Sequence, residues 1–153
     1  DWQFHDILYR NLAWCYSVLG EPERCLEYTR KSVEVKRDAG IPSSWFDIWD
    51  MGKSHASLGQ KMGQRKEMQV GYELCMKAAE VHRSAEPGDF VMLAKVLSNA
   101  GEVALGIGDT YEAEGNDEDA QLWFVRAEPS LRESYELHTG ALGPLKPLSG
   151  WAA

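Results

Sequence analysis

The sequence predicts an all-α fold built as three helical hairpins stacked in a row, with a fourth beginning at the C-terminal end. Three observations predict it. Apolar residues recur at three- and four-residue spacing through most of the chain, glycines and prolines divide it into six such segments, and no segment alternates with the two-residue period of a strand. With 153 residues, 44% of them hydrophobic and 26% charged, the chain has material for one core and is too short for two ordinary domains. The net charge of −8 argues against a phosphate-binding surface. No run is read as approaching the ~18 apolar residues that a membrane span requires.

Leu8, Leu12, Ala13, Tyr16 and Leu19 fall on one face of a first helix, which Gly20 ends. Pro22 suits the first turn of the second, where its missing N–H has no partner to lose. That helix carries Cys25, Leu26, Thr29, Ser32 and Val33 and closes at Gly40. Ser44 with Asp47 resembles a capping box that opens the third helix. Residues 44–62 and 64–84 then pair, with Gly59 and Gly63 marking the turn. Pro87-Gly88-Asp89 starts the last pair. Its first helix is expected to reach Glu114, break at Gly115-Asn116, and be followed by a helix through His138 that Asn116 or Asp117 caps. The hairpins are thus placed at about 2–40, 43–85 and 88–140, with 141–153 as linker and the start of another helix. Asp1 in place of Met, and the ending Trp151-Ala152-Ala153, are read as those of a piece of a longer chain.

Tyr9, Leu12, Ala13, Tyr16 and Gly20 fill in order the places of the first helix of a tetratricopeptide repeat. Cys25, Thr29 and Ser32 take the second-helix places, with Thr29 a departure from the usual aromatic. Ile48, Met51, Gly52, His55 and Gly59, then Gly71, Cys75 and Ala78, repeat the pattern. In the third hairpin Leu97, Ala100, Gly101, Ala104 and Gly108 fit, and Gly108-Tyr111-Gly115 fits as well. The stretch Ala127-Glu-Pro-Ser-Leu-Arg-Glu-Ser134, continuing to Gly143-Pro144, resembles the kinesin-light-chain subtype of this repeat. The resemblance implies a right-handed α-solenoid that serves protein–protein interaction. Relative to the family, the second and third hairpins each carry seven extra residues, close to two helical turns. Elongated helices are the preferred reading, with an irregular excursion near 60–66 or 109–117 as the alternative.

The residues give no constellation for chemistry, and no enzyme is expected. Cys15, Cys25 and Cys75 have no disulfide or zinc spacing and read as small buried hydrophobes, in keeping with a reducing, intracellular and cytoplasmic setting. An organelle stays open, since the termini look truncated. His5, His55, His82 and His138 lie apart, so no metal is called for; His55 stands at a packed repeat place. Gly101–Gly108 lacks the Lys-Ser/Thr of a phosphate loop, and Glu114 to Asp119 lacks the spacing of a calcium loop, so no cofactor is expected. Residues 109–136 hold nine acids against two arginines, and residues 24–37 hold Arg24, Arg30, Lys31, Lys36 and Arg37 against two glutamates. Both runs read as solvated outer faces, with electrostatic steering of oppositely charged partners at the two ends as the alternative.

The expected function is a binding scaffold that holds a peptide or a neighbouring subunit on its concave face. A structural piece of a large assembly is the alternative, and an RNA-binding helical repeat a distant one; nucleic acid is not an expected partner. In the resembled family the first helix of each hairpin lines the concave face. That register places Ile7, Arg10, Trp14 and Ser17 there from the first hairpin, and Phe46, Trp49, Lys53 and Ala56 from the second. Lys95, Ser98 and Glu102 come from the third. Trp14, Trp45, Trp49 and Trp123 exceed what the repeat needs for packing, and sequence does not divide them between core and interface. Two tryptophans among Arg10, Lys53 and Lys95 favour a partner segment with an apolar anchor and acidic residues beside it. Trp2 and Phe4 at one end, and Leu148 and Trp151 at the other, leave ends without polar caps, which favours self-association.

Overall fold

The structure is a computed structural model that describes residues 1–142. Six helices follow in order: α1 (Trp2–Val18), α2 (Pro22–Asp38), α3 (Trp45–Met62), α4 (Arg65–Ala85), α5 (Phe90–Ala113) and α6 (Asp117–Leu142). There is no strand among the described residues. The expected linker and fourth hairpin lie almost wholly outside them. Each helix packs chiefly on its hairpin partner, α2 also packs on α3 and α4 on α5 to join successive hairpins, and α3 also touches α5. This is the connectivity of an α-solenoid of three hairpins, as the periodicity predicts.

Local sequence sets the boundaries. The Asp1 side chain accepts from the Gln3 N–H at 3.0 Å, Asp89 from Met92 at 3.1 Å, and Asn116 from Asp119 at 3.2 Å, so each occupies an N-cap. Ser44 and Asp47 form the full capping box. The tight turns inside the hairpins use Gly20, Gly63 and Gly115 at φ between 64° and 74°, a backbone region that side-chain-bearing residues avoid. The seven-residue additions are helical. α5 and α6 run 24 and 26 residues and meet at Gly115-Asn116, with no excursion between them. The two registers of the third hairpin also resolve, since Gly101 faces Leu131 and Gly108 faces Phe124, both on α6. A helix this long presents both sets to one neighbour. α6 continues to Leu142, past the His138 end that the sequence suggests.

The core lies in the second and third hairpins. Trp49, Cys75, Ala78, Ala79, Leu93, Val96, Leu97 and Ala100 form one cluster; Met68, Ala104, Ile107, Trp123 and Ala127 form the other. α5 sits at the centre. It is in fact long and apolar enough to cross a bilayer by length and composition, contrary to the sequence expectation; Leu93, Val96, Leu97, Ala100, Ala104 and Ile107 are in the core, while Phe90, Val91 and Leu105 are exposed. The thiols divide as well. Cys25 and Cys75 are buried, with burial pushing the Cys75 thiol up to about 12, but Cys15 is exposed because α1 buries only Asp6 and Ala13.

Helices α3 and α4 approach closely because glycines face each other. A methyl group on Gly71 would stand 2.7 Å from both Cβ and the backbone nitrogen of Ala56, and one on Gly52 would stand 2.9 Å from Cys75 Sγ. Alanine at Gly71 must therefore separate two backbones. Gly71→Ala is expected to lower stability by about 1–3 kcal/mol, although alanine is the better helix former by ~1 kcal/mol. A urea titration checks this, with a lower midpoint and an unchanged slope.

Candidate functional site

Helices α1, α3 and α5 lie on one side of the stack, and two clefts run between them. A cleft of about 240 Å³ separates α1 from α3 and is lined by Arg10, Asn11, Trp14, Ser17, Phe46, Asp50 and Lys53, among others. A second, of about 300 Å³, lies between α3 and α5 and includes Lys53, Ala56, Asn99 and Glu102. Lys53 and Ser57 border both, so the two form one continuous face.

Of the eleven sequence-designated residues, Arg10, Trp14, Ser17, Phe46, Lys53 and Glu102 meet on this face, and the other five depart from their expected role. Trp14 is 69% exposed on the wall of the first cleft. Phe46 is half-buried beside it, with the Arg10 guanidinium 4.7 Å from its ring centroid. Trp49 is a core residue, only 8% exposed: its indole N–H donates to Asn99 Oδ1 at 2.9 Å, and Lys53 Nζ covers its ring at 3.9 Å. It is not a surface anchor, because α5 stacks over it. Ala56 is buried against Gly71, so it contributes little beyond the close helix approach. Ser17 and Glu102 are exposed in the clefts. Ile7, Lys95 and Ser98 line neither cleft; Ser98 donates to Glu102 instead. Trp45 and Trp123 are occupied as well, by Glu86 and by an edge-on contact with Tyr72.

The cations of the face have local partners. Lys53 pairs with Asp50 at 2.7 Å and Arg10 approaches Asp6 at 3.7 Å. Asp50, Asn11 and Asn99 are members of the face that repeat register did not single out. The helical spacing of Asp50 three residues before Lys53 carries that signal.

Beneath the face, a buried charge network links three helices. Lys36 of α2 places its ammonium 2.6 Å from Asp47 Oδ1 on α3 and 3.4 Å from Asp6 Oδ2 on α1. Ser32 donates to the other Asp6 oxygen, and the Ser44 backbone and hydroxyl donate to Asp47 Oδ2, both at 2.8 Å. Reading 24–37 as a solvated basic face is therefore wrong at Lys36, which is buried. Local sequence does not show its partners, which lie on two other helices. Thr29, the departure from repeat pattern, is buried too and exchanges a hydrogen bond with Ser54 of α3 at 3.1 Å.

No family model matches the chain, and no curated protein matches it. Among solved structures, the crystal structure of MamA is similar over 86% of this chain and 81% of its own, at 16% identity and a TM-score of 0.32. So loose a superposition leaves the repeat architecture resting on the helix packing described above.

Burial alone would push the Asp47 carboxyl up, but the Lys36 ammonium and the Ser44 donors more than reverse this and hold it below its ordinary value of 3.8. The stability this provides is complete above about pH 4 and is lost as the pH falls through the lowered folded-state value. Asp47→Asn removes that dependence. Urea midpoints measured from neutral to acid pH should thus fall less steeply for Asp47→Asn than for the parent chain.

Proposed function

We propose that the chain is a non-enzymatic protein-interaction scaffold whose α1–α3–α5 face takes an extended peptide, with an apolar side chain seated between Trp14 and Phe46. The observation that carries this reading is the exposed Trp14 on a formed cleft beside a half-buried aromatic. Large aromatics in such settings supply most of the energy of an interface. Acidic residues beside the anchor would meet Arg10 and Lys53 by displacing the partners these now hold, and partly exposed pairs of that kind are worth only about 0–1 kcal/mol. The likeness of Ala127–Gly143 to the kinesin-light-chain subtype supports the same class of function. The unbridged thiols support an intracellular, cytoplasmic place.

A second reading has its own observation. Phe4, Ile7, Trp14 and Val18 are all exposed and fall along one stripe of α1. A stripe of this kind fits a helix of a neighbouring subunit, which would make the chain a built-in part of an assembly or a self-associating one.

Selection of short random peptides on the chain, followed by affinity and melting measurements, separates the two. The peptide reading expects enriched sequences with an apolar anchor next to Asp or Glu. Trp14→Ala should cost about 2 kcal/mol or more of their binding at unchanged melting temperature. Trp49→Ala should instead cost about 3–5 kcal/mol of fold stability. Absence of any selected peptide, with concentration-dependent association that Trp14→Ala abolishes, would overturn the peptide reading in favour of the assembly.

A further inference from the structure

His82 is fully buried near the end of α4, and neither of its ring nitrogens has a hydrogen-bond partner. An unpaired polar atom in that position costs about 1–3 kcal/mol, which asks for an explanation. Its Nε2 stands 3.7 Å from Asp89 Oδ2, too far for a hydrogen bond. Glu86, at the C-terminal cap of α4, completes a cluster in which one ligand atom from each residue lies within 4.8 Å of the other two.

We propose that His82, Glu86 and Asp89 form a binding site for a divalent transition cation of the zinc class. The separation suits this. An ion about 2.1 Å from both Nε2 and Oδ2 would see them at an angle of about 120°. Each carboxylate is already oriented by an N–H donor to one oxygen, which leaves the other free. The Trp45 indole donates to Glu86 Oε1 at 2.7 Å, and the Met92 amide donates to Asp89 Oδ1 at 3.1 Å. Such outer contacts are what fix ligands in metal sites. Trp45 also holds the imidazole edge-on, with ring centroids 4.5 Å apart. The neighbouring cation, Arg83, is engaged by Glu133 at 2.6 Å and does not neutralise the cluster.

One imidazole nitrogen and two carboxylate oxygens suit zinc better than calcium or magnesium, which favour oxygen-only shells. Glu86 is exposed and Asp89 half-buried, so an ion has a route in and water can fill the fourth position. Bound there, the ion ties the end of α4 to the N-cap of α5 and so fixes the third hairpin against the second. This site is independent of the peptide face.

The test is titration of the metal-free chain with Zn²⁺ by calorimetry and with Co²⁺ by visible absorption, using Glu86→Gln, Asp89→Asn and the double variant. Both substitutions keep the shape and the acceptor oxygen that the Trp45 or Met92 N–H uses, so the fold is retained, which melting in EDTA checks. The expected result is one Zn²⁺ per chain, a melting temperature higher in Zn²⁺ than in EDTA, and tetrahedral Co²⁺ bands. Each single variant should weaken binding by about tenfold or more. Failure of the parent to bind saturably would overturn the site. So would unchanged Zn²⁺ affinity in the double variant, which would place the ion elsewhere, as at the His55–Glu67 pair.

Discussion

The ammonium of Lys36 decides where the first hairpin sits. α1 contributes only Asp6 and Ala13 to the interior, so its apolar contacts alone hold it weakly against the rest. Asp6 and Asp47 both reach the Lys36 ammonium, and this joins α1, α2 and α3 through one buried group. A buried ion pair gains little over an apolar substitute, because desolvation consumes most of its Coulomb energy. What it supplies here is position. Two carboxylates and one ammonium are satisfied together in one arrangement of the helices, and that arrangement opens the cleft beside Trp14.

The second and third hairpins are held by a different means. Gly52, Gly59 and Gly71 bring α3 and α4 together, and Gly101 and Gly108 admit Leu131 and Phe124 from α6. Close backbones and interlocking side chains need no charge, and the apolar clusters concentrate there. The binding face therefore spans two regimes. Its α3–α5 half rests on a packed core, whereas its α1–α3 half rests on the charge network and on the Thr29–Ser54 and Cys25–Ser54 contacts.

Helix number, caps and turns were legible in the sequence because they are local. Asp1, Ser44, Asp89 and Asn116 act on residues within one turn, and the left-handed glycines act on their own backbone. The repeat register was legible through its small residues, even where two registers seven residues apart competed, since both fall on one face of a long helix. Long-range partners were not. Nothing near Trp49 states that Asn99 will cap its indole, while nothing near Trp14 states that its ring stays bare. Lys36 looked like one cation in a basic run, and its burial follows only from helices that bring two distant aspartates to it. The His82 cluster lies within eight residues of sequence, but what marks it is an unpaired imidazole buried against the distant Trp45, and that contact is long-range.

The most direct test is a double-mutant cycle between Lys36 and Asp47, with urea unfolding of Lys36→Met, Asp47→Asn and the pair at neutral pH. If the buried ammonium positions α1 and α3 as described, the two substitutions are coupled by about 1–3 kcal/mol. Substitutions that add to within about 0.5 kcal/mol would show that Lys36 and Asp47 act independently, contradicting the account.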